Sequence, residues 1–357
     1  MPMKKLLPLF FICILTFLKP LSAQQYGNEW INYSQSYYKV YVHENGIYRI
    51  DYSTLLNNDF PLGSINPRNI QVFNKGVEQY IYIKGESDNI FNSGDYIEFH
   101  AEKNDGTLDT ELYINPEGQA NPAYSLFSDS SVYFITWNTS LSNRRYQLDN
   151  DVNFGAYTPV PFIYKTSREN YTSMYFAGET NSGGFTDPEY TANEGWFDNG
   201  MNVGQSITKS IPTANKYASG PNALSEFVVL GQSNFIAAFP DHHLRITFAG
   251  NTIDTLFEGY KVLRYNYSIP VSQIGTTTTN FSFSVINDLG VNSDRNTVAY
   301  IQIKYPHTLN LEGSSAFYFS AVDAVQAKSL LNFTNFNIPS GDTARLYDIT
   351  NHRRIKV

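Results

Sequence analysis

The sequence predicts an all-β protein with two consecutive β domains, the second a jelly-roll-like antiparallel β-sandwich. Aromatic residues make up 15% of the 357-residue chain, with 27 tyrosines and 25 phenylalanines. Such side chains, like β-branched ones, fit the pleated, half-buried surface of a sheet. Short alternating segments separated by turn residues recur from about residue 37 onward, whereas runs rich in helix-favouring Ala, Leu, Glu and Lys are scarce.

Residues 1–23 have the pattern of a secretory signal peptide. Lys4 and Lys5 precede the apolar stretch LLPLFFICILTFL, and LSA at residues 21–23 is a small-residue cleavage site. The apolar stretch is shorter than a typical membrane span. We therefore expect a mature chain that starts near Gln24, passes through the periplasm, and is secreted or associated with the outer membrane or cell surface.

Cysteine content and net charge exclude several function classes. The only cysteine, Cys13, lies inside the predicted signal peptide. A mature chain without it has no disulfide, no thiolate metal site and no cysteine nucleophile. The formal net charge is −8 and no basic stripe is present, so nucleic acid and anionic membranes are not expected partners.

Residues 24–150 are predicted to form a small amino-terminal β domain. The segment YYKVYVHENGIYRIDY predicts a hairpin, because Val40 and Val42 share one face and Asn45-Gly46 suits a tight turn. A helical turn capped by Ser53 is predicted to follow in STLLNN. The remaining predicted strands are NIQVFN and QYIYIKG, paired around Lys75-Gly76, then DYIEFHAE, SVYFITWN and RRYQLDN.

Residues 151–204 are predicted to connect the two domains. The segment YTPVPF carries two prolines that require an extended backbone. The Gly-rich segment from Gly178 to Gly200 carries five acidic residues and no basic residue. Because Ca²⁺ prefers oxygen ligands on flexible loops, these residues are candidate calcium ligands. They are Glu179, Asp187, Glu189, Glu194 and Asp198. No EF-hand spacing is present, so a solvated connection is the preferred interpretation.

Residues 205–357 are predicted to form the β-sandwich. In HHLRITFAG, Leu244 and Ile246 lie on one face of a strand, and the next strand follows a turn near Gly250-Asn251. About ten such strands fit a two-sheet jelly roll. The predicted strands are SITKSIP, LSEFVVLGQS, HHLRITFAG, NTIDTLFEG, KVLRYNYSIP, TNFSFSVIND, TVAYIQIKYP, SAFYFSAV, NFTNFNI and ARLYDITN.

The adjacent residues Asp241, His242 and His243 suggest metal ligands or catalytic groups. A metal site needs three or four ligands that converge on one point. Neighbouring side chains of a strand point to opposite faces, so the two histidines cannot easily bind one ion. We predict structural roles for both histidines, and we expect Asp241 to cap the turn before it.

Other site chemistry has weaker support in the sequence. Trp30, Trp137 and Trp196 are candidates for sugar stacking, although most aromatic side chains of a sandwich belong to its core. No G-x-S-x-G, Walker or dinucleotide-binding motif is present. A glycosidase with paired carboxylates has no specific motif here either.

The order of several segments resembles secreted proteins related to the gingipain-type cysteine peptidases, notably the sortase-like components of the type IX secretion system of Bacteroidetes. The matching segments cover nearly all of the predicted mature chain. They are QYGNEWINYSQSYYKVYVHENGIYRIDY, NSGDYIEFHAEKNDGTLD, NPAYSLFSDSSVYFITWN, EGWF, DHHLRI, VAYIQIKYPHTL and LYDITN.

The resemblance implies β domains that precede a catalytic α/β domain with a histidine and a cysteine. The sequence ends at Val357, shortly after LYDITN at residues 346–351, so no catalytic residue is carried over. We expect either a chain truncated before its peptidase domain or a module that stands alone. Full-length relatives would be cysteine peptidases.

The expected function is that of a non-catalytic, exported amino-terminal region of a gingipain-like type IX secretion protein. Such a region would pack against a peptidase domain, keep it latent, or dock it to other secretion components. No catalytic residue or cofactor other than the calcium candidates is predicted. The alternative is a free-standing secreted adhesin or carbohydrate-binding module.

Overall fold

The computed structural model describes residues 27–140, 142–181, 183–323 and 328–357. The predicted signal peptide at residues 1–23, with Cys13, lies outside these ranges. Within them, no helix is long and apolar enough to cross a membrane. The chain divides into two compact units. The first contains the described residues of Met1–Tyr41, Arg49–Phe99 and Val132–Arg145, and the second contains Val42–Tyr48, His100–Ser131 and the described residues of Tyr146–Val357.

The prediction of an all-β protein is confirmed, since antiparallel sheets dominate the described residues and the α-helix among them is a single short one. The elements of the amino-terminal part are β1 (Tyr38–Val42), β2 (Gly46–Asp51), α1 (Tyr52–Asn57), β3 (Ile70–Asn74), β4 (Val77–Glu78), β5 (Ile81–Lys84), β6 (Tyr96–Ala101) and β7 (Ser131–Trp137). The strands form two sheets, in the orders β1-β7-β3-β4 and β2-β6-β5.

The predicted hairpin at Asn45-Gly46 is wrong. Strands β1 and β2 belong to different sheets, and neither turn residue has the positive φ that a tight hairpin turn requires. The Asn45 side chain instead accepts a hydrogen bond from the Lys103 backbone N–H at 2.9 Å. This long-range contact replaces the local turn that the dipeptide favours.

Two other local predictions have different outcomes. A turn does form at Lys75-Gly76, where both residues have positive φ, and it joins β3 to the short strand β4. The predicted pairing of NIQVFN with QYIYIKG is wrong, because the QYIYIKG strand is β5, which pairs with β6 in the other sheet. Helix α1 begins at Tyr52 with Asp51 in the N-cap position, so the predicted capping role of Ser53 is wrong.

The second unit is built on two large sheets. Its strands are β8 (Gln147–Asp149), β9 (Ile163–Asn170), β10 (Met174–Ala177), β11 (Glu194–Phe197), β12 (Met201–Asn202), β13 (Ser206–Pro212), β14 (Ala223–Gly231), β15 (His242–Phe248), β16 (Asn251–Phe257), β17 (Val262–Ile269), β18 (Thr278–Val285), β19 (Arg295–His307), β20 (Leu346–Asp348) and β21 (Arg353–Ile355). The first large sheet has the order β12-β19-β14-β17, with β9 also paired to β19, and the second has the order β13-β18-β15-β16. Smaller sheets are β10-β11 and β20-β21-β8.

The two large sheets share one apolar core, as a sandwich requires. Phe227 of β14 packs against Phe248 of β15 and Phe281 of β18, with ring centroids 5.1 and 5.4 Å apart. All three side chains are buried. Strict alternation along β15 and β18 places the apolar residues inward, which is the pattern that predicted these strands.

Part of the predicted connection at residues 151–204 belongs to the sandwich sheet. Strand β9 pairs with β19 over eight residues, from Tyr300↔Asn170 to His307↔Ile163, and β12 also pairs with β19. Strand β9 was not predicted because Lys165 and Arg168 interrupt the apolar alternation of its sequence. The predicted domain limits themselves stay a prediction.

Two predicted strands are absent. SAFYFSAV and NFTNFNI form isolated bridges in their described residues, Tyr164↔Ser320 and Asn310↔Thr334, and no strand. Their aromatic side chains pack against each other instead, as Phe319 and Phe333 do with ring centroids 5.2 Å apart. Aromatic content alone therefore overpredicted strand in this region.

Candidate functional site

The two adjacent histidines of β15 lie on opposite faces of their sheet, as predicted. The His242 side chain is 0% exposed, whereas the His243 side chain is partly exposed on the outer face. The hairpin that β15 forms with β16 turns at Ala249-Gly250, which fixes this register. Among the described residues, no group of three or more His, Cys, Asp or Glu side chains is arranged to hold a metal ion.

His242 is held between two hydrogen-bond acceptors. Its Nδ1 lies 2.7 Å from Asp294 Oδ1, and its Nε2 lies 2.9 Å from the Ser233 carbonyl oxygen. Since a carboxylate and a carbonyl oxygen only accept, this geometry fits the imidazolium form, in which both ring nitrogens donate. The ring also stacks on Phe257, with centroids 4.5 Å apart and planes at 3°.

The electrostatic balance at His242 agrees with this assignment. Burial lowers the pKa of His242, but the hydrogen bonds to Asp294 and Ser233, together with the charges of Asp294 and Asp241, raise it more. The net result is a pKa above the ordinary histidine value. A buried cation is favourable here because a hydrogen-bonded carboxylate compensates it.

Asp241 holds the loop that precedes it, in agreement with the predicted capping role. Its Oδ2 accepts a hydrogen bond from the Phe235 backbone N–H at 2.6 Å, and its Oδ1 accepts one from the Gly259 N–H at 2.8 Å. The side chain is completely buried. One carboxylate thus ties the loop to the chain just after β16.

Asp294 and Ser233 complete this arrangement. Asp294 Oδ2 accepts from the His243 N–H at 3.0 Å, and its Oδ1 accepts from the Asn296 side chain at 2.5 Å. Ser233 Oγ donates to the Ser293 carbonyl oxygen and accepts from the Arg295 N–H, both at 2.9 Å. We call Ser233, Asp241, His242 and Asp294 the Asp–His–Asp cluster.

The cluster fastens both ends of a loop that displays apolar side chains. Residues 234–240, NFIAAFP, contain no charged residue. Ile236 is 85% exposed and Phe239 is 86% exposed, and we call these two side chains the apolar knob. Hydrogen bonds to Ser233 and Phe235 fix the start of the loop, and Asp241 and His242 fix its end. The knob is therefore presented from a firmly anchored base.

His243 has a different environment from its neighbour. Its Nδ1 lies 2.8 Å from Asp288 Oδ1, its Nε2 faces Asp254, and Arg245 also pairs with Asp254. Burial lowers the pKa of His243, and the two carboxylates raise it above its ordinary value. This group lies at the surface and shares no side chain with the Asp–His–Asp cluster.

The five calcium candidates are not brought together. Glu179, Asp187 and Glu189 are exposed, and Asp187 Oδ1 accepts a hydrogen bond from the Glu189 N–H at 3.0 Å. Glu194 hydrogen bonds to the Tyr175 hydroxyl, while Asp198 forms an ion pair with Lys209 at 2.5 Å. Calcium binding by this segment stays a prediction.

The three tryptophans do not form an open stacking platform. Trp30 stacks on Phe73 at 5.2 Å, and Trp137 packs edge-on against Phe60 at 5.4 Å. Trp196 donates its Nε1–H to the Leu126 carbonyl oxygen at 3.2 Å. Each indole is partly buried within its own packing environment.

No protein-family model matches the chain, and no curated protein matches it either. Among solved structures, the chain is similar to dimeric latent PorU from Porphyromonas gingivalis, with 12% identity and a TM-score of 0.47 over 77% of this chain and 24% of that chain. The chain thus spans about a quarter of the PorU chain.

Two carbohydrate-binding modules are also similar to part of the chain. One is a CBM36 module in complex with calcium and xylotriose, with 13% identity and a TM-score of 0.22 over 38% of this chain and 98% of that module. The other is the CBM36-1 domain of a multidomain xylanase from the hindgut metagenome of Trinervitermes trinervoides, with 11% identity and a TM-score of 0.21 over 39% and 95%.

Two members of the cluster, Asp294 and Ser233, were not predicted from the sequence. Asp294 lies 52 residues after His242, in the loop that leads into β19, and Ser233 contributes partly through its backbone carbonyl. Neither position has a local signature. The uncharged run NFIAAFP was a usable signal, because an apolar segment that ends in Pro does not fit a central strand.

Proposed function

We propose that this chain is a non-catalytic, exported β module that acts by docking a partner protein. The proposed partner is a gingipain-like peptidase domain or another type IX secretion component. The observation that carries the proposal is the combination of a sealed Asp–His–Asp cluster with the apolar knob that it supports. The segment-by-segment resemblance to gingipain-related proteins supports the choice of partner.

The cluster has catalytic residue types but lacks access. Asp241 and His242 are 0% exposed and Asp294 is 1% exposed, so a substrate cannot reach them. Both imidazole nitrogens already donate to acceptors, so neither is available to take a proton from a nucleophile. The arrangement suits a mechanical role, which is to hold the loop at residues 234–240.

The knob has the properties of a binding anchor. Burying one large apolar side chain contributes about 1.5–3 kcal/mol, so Phe239 and Ile236 together would supply several kcal/mol. Because the loop base is already fixed, little ordering entropy opposes binding. Few, central, well-packed side chains dominate most protein interfaces, and a two-residue knob that enters an apolar pocket matches that pattern.

The experiment measures binding of the purified chain from Gln24 onward to a separately purified gingipain-like peptidase domain, by isothermal titration calorimetry. We expect binding that weakens at least tenfold in the double variant Ile236→Ala/Phe239→Ala. The matched control is Phe185→Ala, because Phe185 is also highly exposed, at 72%, but lies in a different loop. No binding by the unaltered chain, or an equal loss with the control, would overturn the proposal.

A second assay tests the non-catalytic part of the proposal. The chain from Gln24 onward is incubated with fluorogenic peptides cleaved by cysteine peptidases. We expect hydrolysis at the level of buffer alone. Cleavage above that level that a thiol reagent leaves unchanged would contradict the proposal, whereas thiol-sensitive cleavage would mark a contaminating peptidase, since the only cysteine of the sequence is Cys13.

A further inference from the structure

The outer face of the sheet β13-β18-β15-β16 is polar and exposed. Along each strand every second side chain points into the core, and the alternate ones point outward. We call the central outward set the hydroxyl face. It consists of Thr208, Ser210, Thr247, Thr252, Asn280 and Ser282, all exposed except the half-buried Ser282.

Strand register lines up four hydroxyl side chains in one row. Thr208 pairs with Ser282, Ser282 pairs with Thr247, and Thr247 pairs with Thr252. With neighbouring strands about 4.8 Å apart, the row runs for about 14 Å across the sheet. The row therefore offers a straight line of hydroxyl groups long enough for a short polymer chain.

The hydrogen-bonding capacity of the row is only partly used. Thr208 Oγ1 and Ser282 Oγ bond to each other at 2.6 Å, and Ser210 Oγ donates to Asn280 Oδ1 at 2.8 Å. The hydroxyl groups of Thr247 and Thr252 have no side-chain partner among the described residues. A hydroxyl can donate one and accept two hydrogen bonds, so these two groups are available to a ligand.

A shallow depression of about 480 Å³ lies at this end of the sheet. Thr208, Thr247, Thr252 and Ser282 line it, together with the β15–β16 turn, and no charged side chain contributes to its lining. The nearest charged pair in the register, Arg245 with Asp254, sits in the next row and is internally compensated at 2.6 Å. The ligand that complements this surface is uncharged and rich in hydroxyl groups.

The other large sheet shows that an open outer face is not a general property of the fold. There the segment at Gln119 and Ala120 lies against the outer face of the sheet. Arg264 donates to the Gln119 carbonyl oxygen at 2.6 Å, and Ala120 packs with Val228 and Tyr300. Within the described residues, the chain therefore covers one sheet face and leaves the hydroxyl face exposed.

We infer that the hydroxyl face binds a neutral oligosaccharide, which lies along the row and exchanges hydrogen bonds with Thr247 and Thr252. The class of ligand follows from the absence of charge in the lining and from the unused hydroxyl groups. This site shares no residue with the apolar knob. It goes beyond the proposed docking function and can fail or succeed independently of it.

The test titrates the chain from Gln24 onward with four hexasaccharides and measures chemical-shift changes and calorimetric heats. The neutral probes are xylohexaose, cellohexaose and mannohexaose, and the acidic comparison is hexagalacturonate. We expect saturable binding of at least one neutral probe with contacts at β15 and β16. Binding of none of the neutral probes, or a preference for hexagalacturonate, would overturn the inference.

Matched variants assign the binding to the row. Thr247→Val and Thr252→Val keep the side-chain shape and remove the hydroxyl, and the pair should weaken binding at least fivefold. Thr166→Val is the control, because Thr166 is an exposed strand residue of β9 in the other large sheet. Unchanged binding in the double variant, with an unchanged melting temperature, would also overturn the inference.

Discussion

Removing the His242 side chain should destabilise the second unit more than any surface change. In His242→Gln, the cation leaves while Asp294 and Asp241 stay buried, and Asp294 Oδ1 loses the charged partner at 2.7 Å and keeps only the neutral Asn296 side chain. Breaking a buried charge pair by removing one member typically costs about 3–5 kcal/mol. The lost stacking on Phe257 adds to this cost. We therefore expect a loss of about 3–5 kcal/mol in the free energy of unfolding.

A double-mutant cycle with Asp294→Asn isolates the pair. The free energy of unfolding is measured by urea denaturation for the unaltered chain, both single variants and the double variant. Because the chain has two units, hydrogen exchange of the β15 amides is measured as well, which reports local stability. Residues in such a network typically couple by about 0.5–3 kcal/mol.

The control for the cycle is His243→Gln with Asp288→Asn. This neighbouring pair is also close, at 2.8 Å, but Asp288 is 51% exposed in its side chain. Exposed pairs contribute little because water screens them, so a clearly smaller coupling is expected. A coupling for His242 and Asp294 that is no larger than the control would refute the assignment of a buried ion pair.

The remaining predictions concern pH, the knob and the acidic loop. The pKa of His242 is raised in the folded state. The stabilisation by the charged His242 ring is therefore complete at pH values below the unfolded-state pKa of about 6.5, and it is lost as pH rises through the folded-state pKa. The stability difference between the unaltered chain and His242→Gln should thus shrink at alkaline pH, and a growing difference would contradict this. Burial raises the pKa of Glu312, but Lys165, His307 and Asn215 lower it more, to about 2. The stabilisation by ionised Glu312 is therefore complete above about pH 4.5 and is lost as pH falls toward 2. In Glu312→Gln, the free energy of unfolding should not show this decrease in acid titrations. Ile236→Ala/Phe239→Ala should change the free energy of unfolding by less than about 0.5 kcal/mol, because both side chains are exposed, and a larger loss in urea denaturation would mean that they pack against the fold. Chelation with EDTA should leave the melting temperature unchanged, and a drop of several degrees would instead support calcium binding by the acidic loop.

The sandwich was predictable where local alternation and core packing agree. In β15, the inward residues Leu244 and Ile246 are fully buried, so the period of two in the sequence directly predicted the strand and the opposite faces of its histidines. The neighbouring hairpin followed from Gly250, whose φ is positive.

Prediction failed where long-range contacts decide the local structure. Asn45-Gly46 forms no hairpin because the Asn45 side chain bonds to Lys103, 58 residues away. The cluster at His242 depends on Asp294, which no motif connects to β15. The hydroxyl face could not be predicted from the sequence either, because its row crosses four strands and depends on their register.

In the loop at residues 234–240, the side chains that are exposed at the tip differ from the groups that hold the loop in place. Asp241 accepts from backbone N–H groups, and His242 donates to the backbone carbonyl of Ser233. These bonds do not depend on which side chains occupy positions 236–239. The tip can therefore diverge rapidly while its base stays fixed, which would let related proteins exchange partners without altering their cores. The same property makes this loop a permissive position for inserting an epitope or a foreign binding peptide.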